Sequence, residues 1–395
     1  MQQQESIVIV GMARTAMGGF QGMFAGHSAS QLGAAAIRAA VERAGVAAEE
    51  VDEVIMGCVL PAGQGQAPAR QAALGAGLPL AAGCTTINKM CGSGMKAAML
   101  AHDLLLAGSA SVMVAGGMES MSNSPYLIPK ARGGLRLGHG EIKDHMFLDG
   151  LEDAYDKGKL MGVFAEACAS EYGFSREAQD AFAIASLTRA QQAITAGRFR
   201  EEITPLRVSG KQGEQVLDTD EQPLKAKLDK IASLKPAFSK DGTVTAANSS
   251  SISDGAAALV LMTASEAARR GLKPLARLLA HATHAQQPGL FTTAPVGAMR
   301  KLLAKVGWTV ADVDLFEINE AFAVVTMAAM QDLQLPHDKV NVHGGACALG
   351  HPIGASGARV MVTLLSALRQ HGGKRGVASL CIGGGEATAV ALELL

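Results

Sequence analysis

The architecture of this chain follows from one stretch, Thr85-Thr86-Ile87-Asn88-Lys89-Met90-Cys91-Gly92-Ser93-Gly94-Met95. Its first residues have the β-branched composition of a strand. From Met95 to Leu106 the apolar residues recur at helical spacing, and Gly108 ends that pattern. The stretch therefore predicts a strand, a glycine-rich turn carrying Cys91, and a helix, which is a building unit of α/β folds.

The same alternation continues on both sides of this unit. Before and just after it, strands are predicted at residues 7–10, 54–57 and 111–117, and helices at residues 30–44 and 66–74. A strand at 256–262 precedes a second series, with helices at 295–306, 320–331 and 354–371 and strands at 315–318, 340–342, 377–381 and 388–394. This alternation predicts stacked layers of sheet and helix.

The two series have a similar layout, which indicates an internal duplication. Gly116-Gly117-Met118-Glu119-Ser120 is also similar to Gly384-Gly385-Glu386-Ala387-Thr388. Between the series the chain is richer in glycine, proline and charge, with one predicted helix at 175–196. We therefore expect an N-terminal α/β half, an inserted lobe of loops where binding residues lie, and a C-terminal α/β half. Their predicted bounds are 1–119 plus 244–272, 120–243, and 273–395. Two halves facing each other would bring Cys91 and Cys381 together near a pseudo-two-fold axis.

Composition argues against several classes of function. The 395 residues are 48% hydrophobic and 18% charged, which is enough for large cores. A formal net charge of -1 gives no general surface for nucleic acid or an anionic membrane. The first residues lack the basic and apolar segments of a signal peptide, so we expect a cytoplasmic protein. The six cysteines contain no Cys-x-x-Cys pair, so neither a disulfide framework nor a structural zinc site is expected.

Cys91 is the first candidate for chemistry. At the start of a helix, free backbone N–H groups and the helix dipole are expected to lower the pKa of its thiol. Gly92 and Gly94 leave room for a substrate carbonyl. A buried structural cysteine is the alternative, and the Gly-Ser-Gly setting favours the nucleophile. The remaining cysteines lack such a setting, apart from Cys381, and are expected to be structural: Cys58, Cys84, Cys168 and Cys347.

His351 and Cys381 each lie in a glycine-rich setting of their own. His351 precedes Pro352, which biases it toward an extended backbone and makes it a candidate base. Cys381 precedes Gly383-Gly384-Gly385, whose backbone N–H groups would suit an oxyanion hole. Taken alone, His351 would more often be an ordinary histidine, and the glycines could be a tight turn between two strands.

Three further polar candidates could each serve either the functional site or the local structure. Asn319, in Asn319-Glu320-Ala321-Phe322, could serve the site or be the N-cap of a helix. The segment 249–255 could offer hydroxyls to a ligand or form a polar turn. His343 could be a second histidine of the site or pack beneath it.

Together these motifs resemble the thiolases, the family of acetyl-CoA acetyltransferases and 3-ketoacyl-CoA thiolases. The resemblance covers nearly the whole chain, from Arg14-Thr15 to Cys381-Ile382-Gly383-Gly384-Gly385. It implies layers of helix, sheet, helix, sheet and helix from two duplicated α/β halves, with an inserted loop lobe that binds coenzyme A. It also implies a homodimer or homotetramer, acyl-CoA and CoA as substrates, and no metal or other cofactor.

The resemblance also implies roles for individual residues. Cys91 is the residue that becomes acylated, His351 the base that activates it, and Cys381 the acid/base for the α-carbon proton. Asn319 positions a water in one oxyanion hole, with His351 as the other donor. The N–H groups of Cys91 and Gly383 form the second hole. The positions that match the pantetheine channel are Met161, Phe238, Ser250 and Ala321.

The sequence departs from the family pattern in the lobe. Leu160 stands where acetoacetyl-CoA-type members commonly have histidine, and Phe164 where small residues are usual. Leu224 lies where an arginine often meets the phosphates of coenzyme A, and Lys225 or Lys227 is a possible substitute. These departures bear on acyl chain length and CoA affinity.

Three alternative functions stay open at this point. One is a broad-range degradative 3-ketoacyl-CoA thiolase. Another is a catalytically silent acyl-CoA-binding scaffold, which the intact set of Cys91, His351, Asn319 and Cys381 disfavours. The third is a ketoacyl synthase or hydroxymethylglutaryl-CoA synthase, which lacks the second reactive cysteine in a Cys-x-Gly-Gly-Gly turn.

Overall fold

A computed structural model describes residues 5–210 and 213–395. The strands are β1 Ile7–Arg14, β2 Gly18–Gly19, β3 Glu53–Gly57, β4 Gly83–Ile87, β5 Val112–Ser120, β6 Tyr126–Leu127, β7 Lys143–Asp144, β8 Leu206–Gly210, β9 Gly213–Leu217, β10 Ser253–Thr263, β11 Ala276–Ala285, β12 Leu315–Ile318, β13 Arg375–Ile382 and β14 Glu386–Leu394. The α-helices are α1 Ala29–Ala44, α2 Pro68–Gly75, α3 Ser93–Leu106, α4 Met161–Tyr172, α5 Arg176–Thr195, α6 Glu221–Lys225, α7 Ala264–Arg269, α8 Ala294–Val306, α9 Ala323–Leu333, α10 Ala346–Leu349 and α11 Ser356–His371.

The two halves have matching strand order. The first half runs β4-β3-β5-β10-β1, with β3 parallel to both β4 and β5. The second runs β12-β13-β14-β11, with β12 parallel to β13 and β14 antiparallel to both of its neighbours. Short antiparallel pairing between β1 and β11, at Ile7–Ile9, joins the halves into one sheet. The predicted duplication is therefore present in the topology.

The layers follow from which side chains each strand buries. Ile7 and Ile9 face a core shared with α3 and α11, whereas Val8 and Val10 face α1 and α2. In the second half, one face of β13 and β14 meets the same middle helices, and the other meets α8 and α9. Helices α3 and α11 therefore lie between the two half-sheets, and the predicted α-β-α-β-α layering is confirmed.

The strand predicted at residues 340–342 is wrong. Only Val340 pairs, by a parallel bridge to Phe316, in the place that β4 occupies in the first half. Asn341 has a left-handed φ of 48°, which ends the extended backbone. Its side-chain amide bonds to the N–H and the carbonyl of Ile318, at 2.8 Å each, and so replaces strand pairing.

The two short segments that resemble each other in sequence do not occupy equivalent places. Gly116–Ser120 lies within β5, whereas Gly384–Thr388 forms the turn after β13 and the start of β14.

The residue bounds predicted for the three parts stay a prediction. The inserted segment is tied to the core by buried Arg14, whose guanidinium donates to Asp220 at 2.7 and 2.9 Å and to Glu202 at 2.6 Å. In the described part of the chain, no helix combines the length and the hydropathy needed to cross a membrane.

Candidate active site

One cavity collects most of the predicted site residues. It has a volume of about 380 Å³, and its lining includes Cys91, Leu160, Met161, Phe238, Ser250, Ala321, His351, Cys381 and Gly383. Much of the remaining lining is apolar, with Phe147, Phe291, Phe322, Ile252 and Ile353 among it. Of the catalytic and CoA-binding residues that the family resemblance implied, Asn319 is the one that the lining does not include. Residues from the first half, the second half and the lobe therefore meet at a single apolar site.

The turn before α3 is built to present Cys91. Met90 has a left-handed φ of 46°, and the Ser93 hydroxyl donates to its carbonyl at 2.6 Å. The Lys89 N–H donates to the same hydroxyl at 2.8 Å. A Cβ on Gly92 would lie 2.4 Å from Ile382, so glycine is what allows the end of β13 to approach this turn. That approach brings Cys91 beside the Cys381 strand.

Burial raises the pKa of the Cys91 thiol to about 11. The backbone N–H groups of Gly383 and of Cys91 itself act in the opposite direction and lower the pKa of this thiol. The prediction of a lowered pKa is therefore wrong: removal from water outweighs the local donors at the helix start. At neutral pH the thiol is protonated, and it needs a base to become a nucleophile.

His351 is held in one tautomer by Ser356. Its Nδ1 lies 2.6 Å from Ser356 Oγ, and that hydroxyl donates to the Pro352 carbonyl at 3.0 Å. The hydroxyl must then accept from Nδ1–H, which leaves the lone pair on Nε2. Nε2 is buried and has no partner among the described residues. Burial, followed by the positive charge of Arg359, lowers the pKa of His351 to about 3, so the imidazole is neutral and can accept a proton.

Cys381 lies at the cavity, beside the tight turn that was one of the two interpretations of its glycines. It lies near the end of β13, opposite Ala387, and the glycines after it do form a tight turn. Gly384 and Gly385 have left-handed φ values of 93° and 86°. Cys381 also lines the cavity, and burial, then the neighbouring Cys91, raises its thiol pKa well above the ordinary value.

Asn319 lies behind the cavity rather than on its wall. Helix α9 begins at Ala323 with Phe322 as its N-cap, so the N-cap interpretation of Asn319 is wrong, and so is a helix start at 320. Arg359 pairs with Glu317 at 2.7 Å and lies 3.5 Å from Asn319 Oδ1. Asn319 Nδ2 is buried without a partner in the described residues, so it is a donor still free to bond.

The other polar candidates are occupied by the protein itself. Ser249 donates to the Thr245 carbonyl at 2.7 Å and Ser250 to the Ala321 carbonyl at 2.9 Å. Both line the cavity, but their hydroxyl protons are already used. His343 lies outside the cavity lining, 3.2 Å from His371 between the two Nε2 atoms.

Two residues of the site were missed from the sequence. Ser356 follows His351 by five residues in the same motif, and only the folded turn shows that they touch. Glu119 accepts from the N–H groups of Val59, Leu60 and Gly354, at 2.9, 3.2 and 2.9 Å. Burial raises the pKa of Glu119 to about 7. These bonds hold the loop of His351 against the first half. The sequence signal for Glu119 was the stretch Gly116-Gly117-Met118-Glu119-Ser120, which was interpreted only as a sign of duplication.

The fold and this cavity define a class. Family models described as the N-terminal and C-terminal domains of thiolase match residues 7–265 and 272–394, and the chain belongs to the thiolase family. It is 51% identical over 390 residues to the acetyl-CoA acetyltransferase of Pseudomonas aeruginosa, covering 98% of this chain and 99% of that one. It is 52% identical over 391 residues to the enzyme of that name from Rhizobium meliloti, covering 99% of each. The crystal structure of Bacillus anthracis acetyl-CoA acetyltransferase superposes with a TM-score of 0.96 at 41% identity, over 100% of both chains.

Proposed function

We propose that the protein is an acetyl-CoA acetyltransferase. It joins two acetyl-CoA molecules into acetoacetyl-CoA and free CoA, or runs the reverse thiolysis, through an acyl group on Cys91. The observation that carries the proposal is the meeting of two thiols and a neutral imidazole at one apolar cavity. Relatives that share about half of their residues with this chain are named acetyl-CoA acetyltransferases, which supports acetyl-CoA as the substrate.

The first half-reaction acylates Cys91. His351 Nε2 takes the Sγ proton, and the thiolate attacks the thioester carbonyl of acetyl-CoA. The carbon–sulfur bond to CoA breaks, and protonated His351 gives its proton to the departing CoA thiolate. Acetyl-Cys91, a neutral His351 and a Cys381 thiol remain. The base is required because the Cys91 pKa of about 11 leaves little thiolate at neutral pH.

The second half-reaction forms the carbon–carbon bond. His351 takes the proton of the Cys381 thiol. The Cys381 thiolate then takes the α-proton of a second acetyl-CoA, and the resulting enolate attacks the acetyl carbonyl on Cys91. The bond to Cys91 breaks, and its thiolate recovers the proton from His351. The raised pKa of Cys381 makes its thiolate a strong base, which suits a weakly acidic C–H group.

Hydrogen-bond donors would stabilise the two oxyanions. The backbone N–H groups of Gly383 and Cys91 both favour the Cys91 thiolate, which supports these two N–H groups as one oxyanion hole. The free Nδ2 of Asn319 supports its role in holding a water for the other hole, with protonated His351 as the second donor. A well-placed donor of this kind is worth about 3–4 kcal/mol in the transition state.

The coenzyme A arm would enter between the lobe and the second half. Met161, Phe238, Leu160 and Ala321 supply an apolar channel to Cys91, and Ser250 lies beside them. CoA is a substrate here, and the mechanism uses no other cofactor.

The phosphates of coenzyme A would meet lysine rather than arginine. Lys225 is paired with Glu221, whereas Lys227 lines a second cavity of about 290 Å³ that shares Ala246 and Ser251 with the active-site cavity. This favours Lys227 as the substitute for an arginine at Leu224.

We also propose a cytoplasmic homodimer or homotetramer that binds acyl-CoA and CoA, not nucleic acid or membrane. Exposed apolar side chains between β6 and β7 support self-association: Leu135, Leu137 and Ile142. The net charge of -1 disfavours the other partners.

Thiolysis of acetoacetyl-CoA beside a longer 3-ketoacyl-CoA tests the proposal. The loss of ketoacyl absorbance on adding CoA is expected to be faster for acetoacetyl-CoA. A preference for the longer substrate would instead identify a broad-range ketothiolase. If neither substrate were turned over, the protein would instead be a catalytically silent acyl-CoA-binding scaffold.

A further inference from the structure

Two imidazoles and one carboxylate meet outside the lining of the active-site cavity. His102 and Asp103 lie on α3, and His281 lies on β11 of the other half. Asp103 Oδ1 is 2.9 Å from His102 Nδ1 and 2.9 Å from His281 Nε2. The two rings meet edge to face, with centroids 5.1 Å apart and an interplanar angle of 89°. Three side chains from two elements therefore aim at one point.

The spacing of these atoms suits a metal ion. One ligand atom from each residue lies within 4.8 Å of the other two. Around a tetrahedral zinc ion, with bonds of about 2.1 Å, neighbouring ligand atoms lie about 3.4 Å apart. Small side-chain movements would therefore complete a three-ligand site. The histidine side chains are only 12% and 13% exposed, whereas Asp103 is 54% exposed, so solvent can supply a fourth ligand.

We propose that His102, Asp103 and His281 bind a divalent transition metal ion such as Zn²⁺. Two imidazoles and a carboxylate suit zinc, cobalt, nickel or copper better than magnesium or calcium. Binding needs no net loss of protons, because each neutral ring can move its N–H to the nitrogen that faces away from the ion.

The site would join the two halves of the molecule. Asp103 and His281 are 178 positions apart in the chain, so no local sequence motif contains the three ligands. Helix α3 begins two residues after Cys91, and its other end would be tied to β11. Lys305 Nζ donates to the His281 carbonyl at 3.3 Å, and its charge opposes a bound cation, whereas the Asp103 carboxylate offsets that charge. Binding is therefore expected to raise the unfolding temperature.

Titration of the full-length protein with Co²⁺, after its thiols have been alkylated and chelator has removed other metals, tests this site. The wild type is expected to bind one ion per chain, with the weak visible bands of a nitrogen and oxygen site. His281→Ala is expected to weaken binding at least tenfold and to abolish the metal-dependent rise in unfolding temperature. His139→Ala, which removes an exposed histidine in a loop, is the matched control and is expected to change neither.

Asp103→Asn gives an independent reading if His281→Ala folds poorly, because Asp103 is half-exposed. It is also expected to weaken binding. Absence of saturable binding to the wild type would overturn the proposal. The proposal would also be overturned if Asp103→Asn and His281→Ala each bound Co²⁺ as tightly as the wild type. Loss of binding in His139→Ala, with binding retained in the other two variants, would overturn it as well.

Discussion

His351 Nδ1 lies 2.6 Å from Ser356 Oγ, the first residue of α11. Because that hydroxyl donates to the Pro352 carbonyl, it accepts from the imidazole and fixes the proton on Nδ1. The basic nitrogen is therefore Nε2, on a ring whose residue lines the same cavity as Cys91. A residue that touches no substrate thus determines which nitrogen acts as the base.

Removing this hydroxyl is expected to slow acylation. Ser356→Ala frees the ring to rotate or change tautomer. We expect the rate of Cys91 acylation to fall by about 10–100-fold, which is part of the rate enhancement that general-base catalysis supplies. Ser366→Ala is the control: it lies on the same helix, is buried, and its hydroxyl has no partner among the described residues. Equal acylation rates in the two variants, at equal unfolding temperatures, would refute the tautomer argument.

The pH dependence of Cys91 alkylation checks the state of the thiol. Burial raises the pKa of Cys91 to about 11, and His351, with a pKa of about 3, is neutral, so no stable thiolate–imidazolium pair exists at rest. Below its pKa, the thiolate fraction rises about tenfold per pH unit. Alkylation of the Cys91 peptide, followed by mass spectrometry, is therefore expected to accelerate steadily from about pH 6 to 9. A plateau starting near neutral pH would show that the resting enzyme holds a thiolate.

Replacing Cys381 separates the two half-reactions. Cys381→Ser leaves Cys91 and His351 in place but substitutes a hydroxyl that is a poorer acid and base. We expect exchange of the acyl α-protons with deuterated water to slow far more than acylation of Cys91. Cys168→Ser is a suitable control, because Cys168 packs in the same apolar cluster without lining the cavity. If acylation fell as much as proton exchange, the acid/base role of Cys381 would be wrong.

Leu160 is expected to influence acyl preference. It lines the cavity immediately before α4, where a histidine would place a polar ring in an otherwise apolar wall. Leu160→His is expected to shift the ratio of thiolysis rates toward acetoacetyl-CoA over longer ketoacyl substrates. Leu151→His, which alters a different part of the same lining, tests whether any added histidine has this effect. An unchanged ratio in Leu160→His would show that this position does not set chain length.

The sequence predicted the parts of the site that depend on topology. The matching series of strands and helices predicted two facing halves, and this places Cys91 near Cys381 although they are 290 positions apart along the chain. Helix ends marked by local chemistry were also predictable, as with α1, which ends at Gly45 with a φ of 67°. Such features depend on patterns that each segment carries in itself.

Features that depend on tertiary contacts were not predictable. The Cys91 pKa depends on how completely the cavity excludes water, which outweighs the helix start. The early end of pairing at Val340 depends on the Asn341 amide reaching Ile318. The contact between His351 and Ser356 depends on the tight turn that joins them. In each case the decisive partner is identified only after the chain has folded.

The most direct measurement is the mass of the protein after brief incubation with acetyl-CoA and an acid quench, followed by peptide mapping. We expect one acetyl group per chain on the peptide that contains Cys91, release of free CoA, and no adduct in Cys91→Ala. Acetylation that persists in Cys91→Ala, or that maps to Cys381 instead, would contradict the assignment of Cys91 as the nucleophile.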